Sequence, residues 1–334
     1  MARRGREKTR MKAPAFWYRS PGVMSKLLAP LESLWLAGAA LRRARAGSRY
    51  QAKTWVICIG NVVAGGAGKT PTALAIANLL KQAGKDVVFV TRGYGGREYG
   101  PLLVDPAKHS VRDVGDEALL LARVAPTWMG RDRVATLRLA ELPGTNVILD
   151  DGLQDRRLWL DFAFLVIDGA TGLGNGHVMP AGPLREPLED ALKRVTAVVL
   201  AGAIDVQNIA SRIRCPIFHA AIRPDLSDHF PHAQKFFAFA GIGRPEKFYA
   251  TCREAGLTLT GTKDFPDHHV FTGSDIARLR RQAKSLEARL LTTEKDWVRL
   301  PQEFRDEVTV LPIRFEFAEH VAMAQLLIPE LLTP

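Results

Sequence analysis

The stretch that decides the fold reads Gly60-Asn-Val-Val-Ala-Gly-Gly-Ala-Gly-Lys-Thr-Pro71. An apolar run over 54–60 precedes it, and a helical pattern over 70–84 follows. A strand, a glycine-rich loop, Lys-Thr and a helix in this order are typical of a P-loop, which binds phosphate through backbone N–H groups and a helix N-terminus. The strict pattern asks for glycine where this chain has Val63, so the loop is a variant. The residues predicted to bind the phosphates of a nucleotide are Gly65, Gly66, Gly68, Lys69 and Thr70, with the Thr70 hydroxyl on Mg²⁺.

Short apolar runs alternate with helical patterns on the C-terminal side of this loop. Strands are predicted at 86–91, 146–150, 162–168 and 197–202, and helices at 70–84, 114–124 and 131–142. Continuous apolar strands separated by helices indicate a parallel sheet that is covered on both faces. The predicted fold class is therefore α/β, a doubly wound, mainly parallel sheet.

A second alternating block begins near residue 235. Its predicted strands are 236–241, 257–261, 290–292 and 308–313, and its predicted helices are 245–256, 273–286 and 320–332. The polar, proline-bearing stretch 222–234 marks a boundary. We therefore predict a basic N-terminal segment (1–53), a P-loop domain (54–225) and a smaller C-terminal α/β domain (226–334).

The composition excludes several classes of protein. With 47% hydrophobic, 24% charged and 8% aromatic residues, the 334-residue chain is neither disordered, nor collagen-like, nor a polytopic membrane protein. Its three cysteines lie far apart and form no C-x-x-C pair. A zinc ribbon, a thioredoxin site and a disulfide scaffold are therefore not expected. The unclustered cysteines indicate a reducing compartment.

The net charge of +11 lies in the N-terminal segment, where residues 1–53 hold 13 Lys or Arg and two acids. The remaining residues are balanced in charge. A basic segment attracts anionic lipid or nucleic acid, and charge alone does not choose between them. No RNP, zinc or helix-turn-helix signature is present, so no nucleic-acid partner is predicted.

A helix is predicted in this segment, with Pro30 in its first turn. One apolar face is formed by Leu27, Leu28, Leu31, Leu34, Trp35, Gly38 and Leu41. Lys26 and Glu32 interrupt the apolar stretch, which is short for a bilayer crossing, and no signal-peptide cleavage site follows. Two interpretations remain open: the apolar face packs on the body of the protein, or it lies on an anionic membrane.

Carboxylates and basic residues follow other predicted strands. Asp150 and Asp151 end an apolar strand, as in a Walker B element, although a capped turn gives the same pattern. Asp116 with Glu117 is either a helix N-cap or a pair for a metal or a proton. The loop 91–97 carries arginines and an aromatic ring suited to an anionic substrate. Asp267-His268-His269 alone predicts no more than a surface loop.

Taken together, these motifs resemble the tetraacyldisaccharide 4'-kinase family, which phosphorylates the lipid A precursor in bacteria. The resemblance covers nearly the whole chain from Met11. The matching motifs are Pro14-Ala-Phe-Trp-Tyr18, Gly60-Asn61, Gly65-Gly-Ala-Gly-Lys-Thr-Pro71, Thr91-Arg-Gly-Tyr-Gly95, Val114-Gly-Asp-Glu117, Asp150-Asp-Gly-Leu-Gln154, Pro180-Ala-Gly-Pro-Leu-Arg-Glu-Pro187, Phe239-Ala-Gly-Ile-Gly243, Phe265-Pro-Asp-His268 and Thr292-Thr-Glu-Lys-Asp296.

The resemblance implies a role for each matched residue. Lys69 and Thr70 would serve the ATP phosphates and Mg²⁺, Asp116 would be the catalytic base, and His268 would hydrogen-bond to it. Glu117, Asp150 and Asp151 would surround the metal, with Gln154 nearby. The residues that would line the phosphate and disaccharide pocket are Arg92, Tyr94, Arg185 and Glu186.

The resemblance also implies partners and a location. The substrate would be an acylated disaccharide 1-phosphate lipid, and the enzyme would act on an anionic membrane surface, at the cytoplasmic face of the bacterial inner membrane. No obligate protein partner is evident. Membrane association in the family favours the interfacial interpretation of residues 23–46.

A switch ATPase of the plasmid-partition and septum-placement type is the alternative. In this chain the glycine-rich run, the helix that ends in Ala-Gly-Lys85 and the following strand are very similar to those of such ATPases. Those proteins carry a lysine just before the run, where this chain has Ala64, and acids where it has Thr91 and Arg92. The dependence of ATP turnover on acylated disaccharide, a membrane surface or DNA separates these classes.

Overall fold

A computed structural model describes residues 13–44, 47–65, 68–202, 207–226, 230–231 and 233–328. The helices are α1 (Val23–Ala44), α2 (Lys69–Gln82), α3 (Val111–Val114), α4 (Asp116–Ala122), α5 (Arg133–Ala140), α6 (Leu188–Leu192), α7 (Gln207–Ala210), α8 (Pro245–Glu254), α9 (Gly273–Ser285), α10 (Glu294–Trp297) and α11 (His320–Leu327). The strands are β1 (Val56–Gly60), β2 (Asp86–Thr91), β3 (Leu102–Leu103), β4 (Thr127–Met129), β5 (Thr145–Asp150), β6 (Phe162–Asp168), β7 (Ala197–Ala201), β8 (Ile217–Pro224), β9 (Lys235–Ala240), β10 (Thr258–Asp264), β11 (Arg289–Thr293), β12 (Val308–Leu311) and β13 (Ile313–Phe317).

Nine strands form a large sheet in the order β13-β8-β7-β6-β1-β5-β2-β4-β3. All neighbours are parallel except the edge strands β13 and β3, which run antiparallel to β8 and β4. The strand that leads into the P-loop, β1, lies in the middle. The predicted α/β, doubly wound, mainly parallel fold is confirmed.

Strand β1 shows why its sequence is apolar without alternation. Val56 and Cys58 lie in a buried cluster on one face of the sheet, and Ile57 and Ile59 lie in a second cluster on the other face. Since successive side chains point to opposite faces, a strand covered on both sides must be apolar at every position.

A smaller, wholly parallel sheet has the order β10-β9-β11-β12. It is also covered on both faces: Phe236 and Ala238 of β9 belong to one buried cluster, and Phe237 and Phe239 belong to another. The second α/β unit that the sequence predicts is therefore present.

The C-terminal limit of that unit differs from the predicted one. The strand predicted over 308–313 ends at Leu311 as β12, and β13 begins at Ile313 after Pro312, which has no N–H to donate to a ladder. β13 pairs with β8 of the large sheet, and Met323 and Leu327 of α11 join the large buried cluster there. Residues 313–327, which we placed within 226–334, therefore pack on the P-loop unit.

Helix α1 is attached through polar side chains and through Leu36, which packs against a buried cluster of the large sheet. Glu32 accepts hydrogen bonds from the backbone N–H of Val178 at 2.8 Å and from His177 Nδ1 at 3.0 Å, and Ser25 Oγ accepts one from Asn175 at 3.0 Å. The helix begins at Val23, so Pro30 lies inside it and not in its first turn.

The apolar side of α1 faces outward. Its exposed residues are Val23, Met24, Leu27, Leu31, Leu34, Trp35 and Leu41. Five of the seven residues of the predicted face are thus exposed, although Trp35 Nε1 donates to the carbonyl oxygen of Arg185 at 3.2 Å, and the interpretation in which the whole face packs on the body of the protein is wrong. In the described part of the chain, no helix combines the length and hydrophobicity that a membrane crossing requires.

Candidate active site

The predicted site elements meet at one edge of the large sheet. β6, β1, β5, β2 and β4 are parallel neighbours, so the segments that follow them lie side by side. The P-loop follows β1, Asp151 follows β5 and Arg92 follows β2. The carboxyl edge of a doubly wound sheet is the usual place for a ligand.

The P-loop is shaped by its glycines and by Asn61. Gly68 precedes α2 with a φ of +83°, a left-handed conformation that favours glycine. Asn61 Nδ2 donates to the carbonyl oxygens of Val63 at 2.7 Å and Gly65 at 3.3 Å, and Asn61 Oδ1 accepts from Lys69 Nζ at 3.3 Å. Gly66, also predicted to bind phosphate, lies outside the described residues.

Thr70 and Asp150 lie together below the loop, with Thr70 Oγ1 donating to Asp150 Oδ2 at 3.4 Å. Burial, followed by the charge of Glu117, raises the pKa of Asp150 to about 7, against the opposing charge of Lys69. Asp150 Oδ1 is buried without a hydrogen-bond partner.

These oxygens fit Mg²⁺, although within the described ranges no three His, Cys, Asp or Glu side chains form a ready-made metal cluster. Mg²⁺ usually takes one or two protein oxygens and completes its shell with phosphates and water. A hydroxyl and an unpartnered buried carboxylate oxygen beside a phosphate loop meet that requirement.

Asp151 faces the basic side of the site. Its oxygens accept from Arg185 Nη1 at 2.9 and 3.1 Å, and Lys69 Nζ lies 3.7 Å away. Burial alone would raise the pKa of Asp151, but the charges of Lys69 and Arg185 outweigh it and lower the pKa.

Two further predicted residues support this corner. Gln154 Nε2 donates to the carbonyl oxygen of Asn61 at 2.9 Å and to Glu186 at 3.3 Å. Glu186 is buried, and its carboxylate is paired with Arg194 at 2.9 Å. Buried Glu186 therefore links Gln154 to Arg194 beside the P-loop.

Asp116 and His268, 152 residues apart, are brought into contact. His268 Nδ1 lies 2.8 Å from Asp116 Oδ2. Asp116 belongs to α4 of the P-loop unit, and His268 follows β10 of the smaller unit. The N-cap of α4 is Gly115, so the alternative in which Asp116 is the cap residue is wrong.

Arg299 also contacts Asp116, and sequence reasoning missed it. Its Nε donates to Asp116 Oδ2 at 2.9 Å, and its Nη2 donates to the same oxygen. Burial would raise the pKa of Asp116, but the His268 hydrogen bond and the Arg299 charge outweigh it and hold the pKa well below its usual range. The only sequence signal was the nearby Thr292–Asp296 motif, whose Asp296 also binds Arg299 at 3.0 Å.

Arg92 and Tyr94 are exposed on the loop that follows β2. The loop lies against the start of α4, since a Cβ on Gly115 would clash with the carbonyl oxygen of Tyr94. Both predicted residues are therefore on the loop that borders Asp116.

A phosphate loop with a hydroxyl–carboxylate pair beneath it and a carboxylate–imidazole pair nearby, at the edge of a doubly wound sheet, is typical of P-loop phosphotransferases. Comparison with known proteins identifies the family. The model of the tetraacyldisaccharide-1-P 4'-kinase family matches residues 24–331, and the chain belongs to that family.

Individual relatives agree over most of the chain. It is 45% identical to the tetraacyldisaccharide 4'-kinase of Rhodospirillum centenum over 333 residues, covering 96% of each protein. It is 48% identical to that of Parvibaculum lavamentivorans over 299 residues, covering 87% of each. The crystal structure of LpxK from Aquifex aeolicus in complex with ATP has the same fold, with a TM-score of 0.74 and 24% identity, covering 92% of this chain and 99% of that one.

We predict that Lys69→Ala lowers phosphoryl transfer by about 10²–10³-fold, because it removes a preorganised cation from the phosphate site. Lys81→Ala is the matched control: Lys81 belongs to the same helix, but its Nζ donates to the carbonyl oxygen of Val124. Steady-state turnover and circular dichroism of both variants check this. Near-normal turnover by a folded Lys69→Ala protein would contradict the P-loop assignment.

Proposed function

We propose that this protein transfers the γ-phosphate of ATP to the 4'-hydroxyl of a tetraacyldisaccharide 1-phosphate lipid. The observation that carries the proposal is the contact between Asp116 and His268 at the sheet edge that also holds the P-loop. The names of the relatives specify the sugar and the position of the hydroxyl.

Phosphoryl transfer needs positioning and charge neutralisation more than covalent chemistry. Lys69 and the backbone around Gly65 and Gly68 would hold the β- and γ-phosphates. Thr70 and Asp150 would hold Mg²⁺, and Glu117 would join them because its charge lies near Asp150. Asp151, which pairs with Lys69 and Arg185, would lie behind these ligands. The ion would supply charge neutralisation on the phosphates.

Asp116 would receive the proton of the attacking hydroxyl. It is ionised, because Arg299 and His268 both face Oδ2. Its Oδ1 accepts only from the backbone N–H of Glu117, at 3.0 Å, among the described residues. A carboxylate oxygen accepts about two hydrogen bonds, so Oδ1 has room for the sugar hydroxyl. Arg92 and Tyr94, on the neighbouring loop, would contact the disaccharide.

The switch-ATPase alternative is not supported. The family model spans nearly the whole chain, including the smaller unit that supplies His268 and Arg299. A switch ATPase needs no acid–base pair for a sugar hydroxyl. No feature of the described site calls for nucleic acid.

The lipid substrate requires access to a membrane, and α1 offers a surface for it. Leu27, Leu31 and Leu34 point outward, while Glu32 and Ser25 tie the opposite side to the protein. A helix held in this way would lie in the interface of an anionic leaflet, to which the positive charge of residues 1–53 would be attracted. We place the enzyme peripherally on the cytoplasmic face of the bacterial inner membrane.

The experiment that tests the function is a transfer assay with γ-labelled ATP and a defined tetraacyldisaccharide 1-phosphate in mixed micelles. Labelled lipid that carries phosphate at the 4'-position is the expected product. ATP turnover that is independent of the lipid, or stimulated by DNA, would contradict the proposal.

The catalytic pair gives a double-mutant prediction. Asp116→Asn and His268→Ala should each lower kcat by about 10²–10⁴-fold, the usual contribution of acid–base catalysis. The double variant should be little worse than the slower single variant, because residues that act as a unit are non-additive. The apparent affinity for ATP should change little.

His269→Ala is the control for that series, since His269 Nε2 contacts Asp275 at 3.1 Å and not Asp116. Thermal unfolding of every variant gives its folded fraction, and turnover is then compared per folded molecule. Fully multiplicative losses, or losses explained by unfolding, would refute the pair.

The raised pKa of Asp150, about 7, predicts a pH-dependent metal affinity. A protonated carboxyl does not ligate, so Mg²⁺ should bind more tightly at about pH 8 than at about pH 6. Mg²⁺ titrations at fixed ATP check this in the wild type and in Asp150→Asn, which corrects for protonation of ATP itself. An equal pH dependence in both proteins would remove Asp150 from the metal site.

Membrane binding should depend on the outward face of α1. Replacing Leu27, Leu31 and Leu34 by serine should move the protein from anionic vesicles into the supernatant, because buried apolar area is lost. High salt should release the wild type only in part, since it screens charge alone. The control replaces Leu103, Leu139 and Leu142 by serine, three leucines that are about half exposed on the body of the protein. Equal vesicle binding by both variants would contradict the interfacial role of α1.

A further inference from the structure

The segment after α10 places a buried arginine between the two units. The side chain of Arg299 is 1% exposed. On one side, it donates twice to Asp116 Oδ2 of the P-loop unit. On the other, its Nη1 donates to the carbonyl oxygen of Gly241 at 2.7 Å and to Asp296 Oδ1 at 3.0 Å, both in the smaller unit.

The bonds to Asp116 are distributed unevenly over its two oxygens. Oδ2 faces both Arg299 donors and also His268 Nδ1, at 2.8 Å. Oδ1 faces only the Glu117 backbone N–H in the described structure. With about two acceptor positions on each oxygen, Oδ2 is filled and Oδ1 is not.

We propose that Arg299 is a positioning residue of the transfer reaction: by holding Oδ2 of Asp116 from the smaller unit, it turns Oδ1 toward the attacking hydroxyl. The inference rests on the proposed function. The Asp116–His268 pair is then complete only where the two units are docked.

A guanidinium is suited to this task and an ammonium is not. Its planar fork presents two N–H groups to Asp116 while Nη1 binds Gly241 and Asp296, whereas lysine offers a single flexible point charge. Arg299→Lys therefore keeps the buried charge and loses the orientation.

The chain offers a matched control in the same segment. Arg305 donates from Nη2 to the carbonyl oxygen of Val298 at 2.9 Å and from Nε to that of Leu300 at 3.2 Å. It therefore supports the backbone on both sides of Arg299 without touching Asp116. Trp297 and Val298 also pack against the buried cluster that contains α4.

The test compares Arg299→Lys and Arg305→Lys in the full-length protein, with kcat and the KM values for ATP and lipid measured separately. Arg299→Lys should lower kcat by about 10²-fold, the cost of a displacement near 1 Å in a reacting group. Its KM for ATP should stay within about twofold, because only an orientation in the transition state is lost. Arg305→Lys should keep its kcat.

A second comparison covers the case in which Arg299→Lys does not fold. In an Asp116→Asn background, Arg299→Gln removes the guanidinium that faced the lost carboxylate, and the double variant should be no slower than Asp116→Asn alone. A further multiplicative loss by a folded double variant would show that Arg299 does not act through Asp116.

The outcomes separate this inference from the proposed function. A wild type that does not phosphorylate the lipid contradicts the function. An active wild type in which Arg299→Lys and Arg305→Lys are equally fast, or in which Arg299→Lys changes KM for ATP and not kcat, overturns the positioning role alone.

Discussion

The charge on Asp116 is the constraint on which the site depends. A carboxylate that is 3% exposed stays ionised only if cations and hydrogen-bond donors reach it. Those groups, Arg299 and His268, come from the smaller unit. Asp116 is therefore ionised, and able to act in the reaction, only when the two α/β units are docked.

The large sheet sets the other half of the site. Because β1 is central and covered on both faces, its carboxyl end places the P-loop beside Asp150, which ends the neighbouring strand β5, and Asp151, which follows it. The network of Asn61, Gln154 and Arg185 then fixes the loop from the side. The phosphate donor is held by one unit, and the acceptor hydroxyl would be met where the second unit closes on it.

Local signals were sufficient for much of this arrangement. The P-loop follows from Gly60–Pro71, and strands such as 162–168 follow from unbroken apolar runs. The short β4 and the mixed, near-edge strand β8 carry no comparable signal and were not predicted. The strand expected over 308–313 is present but ends at Leu311, because Pro312 ends that ladder and the chain then crosses to the other sheet.

Long-range contacts were beyond local patterns. Asp116 alone suggested a helix cap, and only the family resemblance linked it to His268. Arg299 has no motif of its own, since its role depends on a fold that brings residues 183 positions apart into contact. The direction in which α1 faces was equally hidden: periodicity gives an apolar face, and the polar anchors Glu32 and Ser25 decide that it points outward.

A crystal structure of the complex with a non-hydrolysable ATP analogue, Mg²⁺ and the disaccharide lipid would test the central claim most directly. The account predicts the 4'-hydroxyl oxygen within hydrogen-bonding distance of Asp116 Oδ1, about 2.6–3.2 Å, and in line with the γ-phosphate above Lys69. Oδ2 should remain bound to Arg299 and His268. A 4'-hydroxyl bound away from Asp116, or an Asp116 carboxylate released from Arg299 with the hydroxyl on Oδ2, would contradict it.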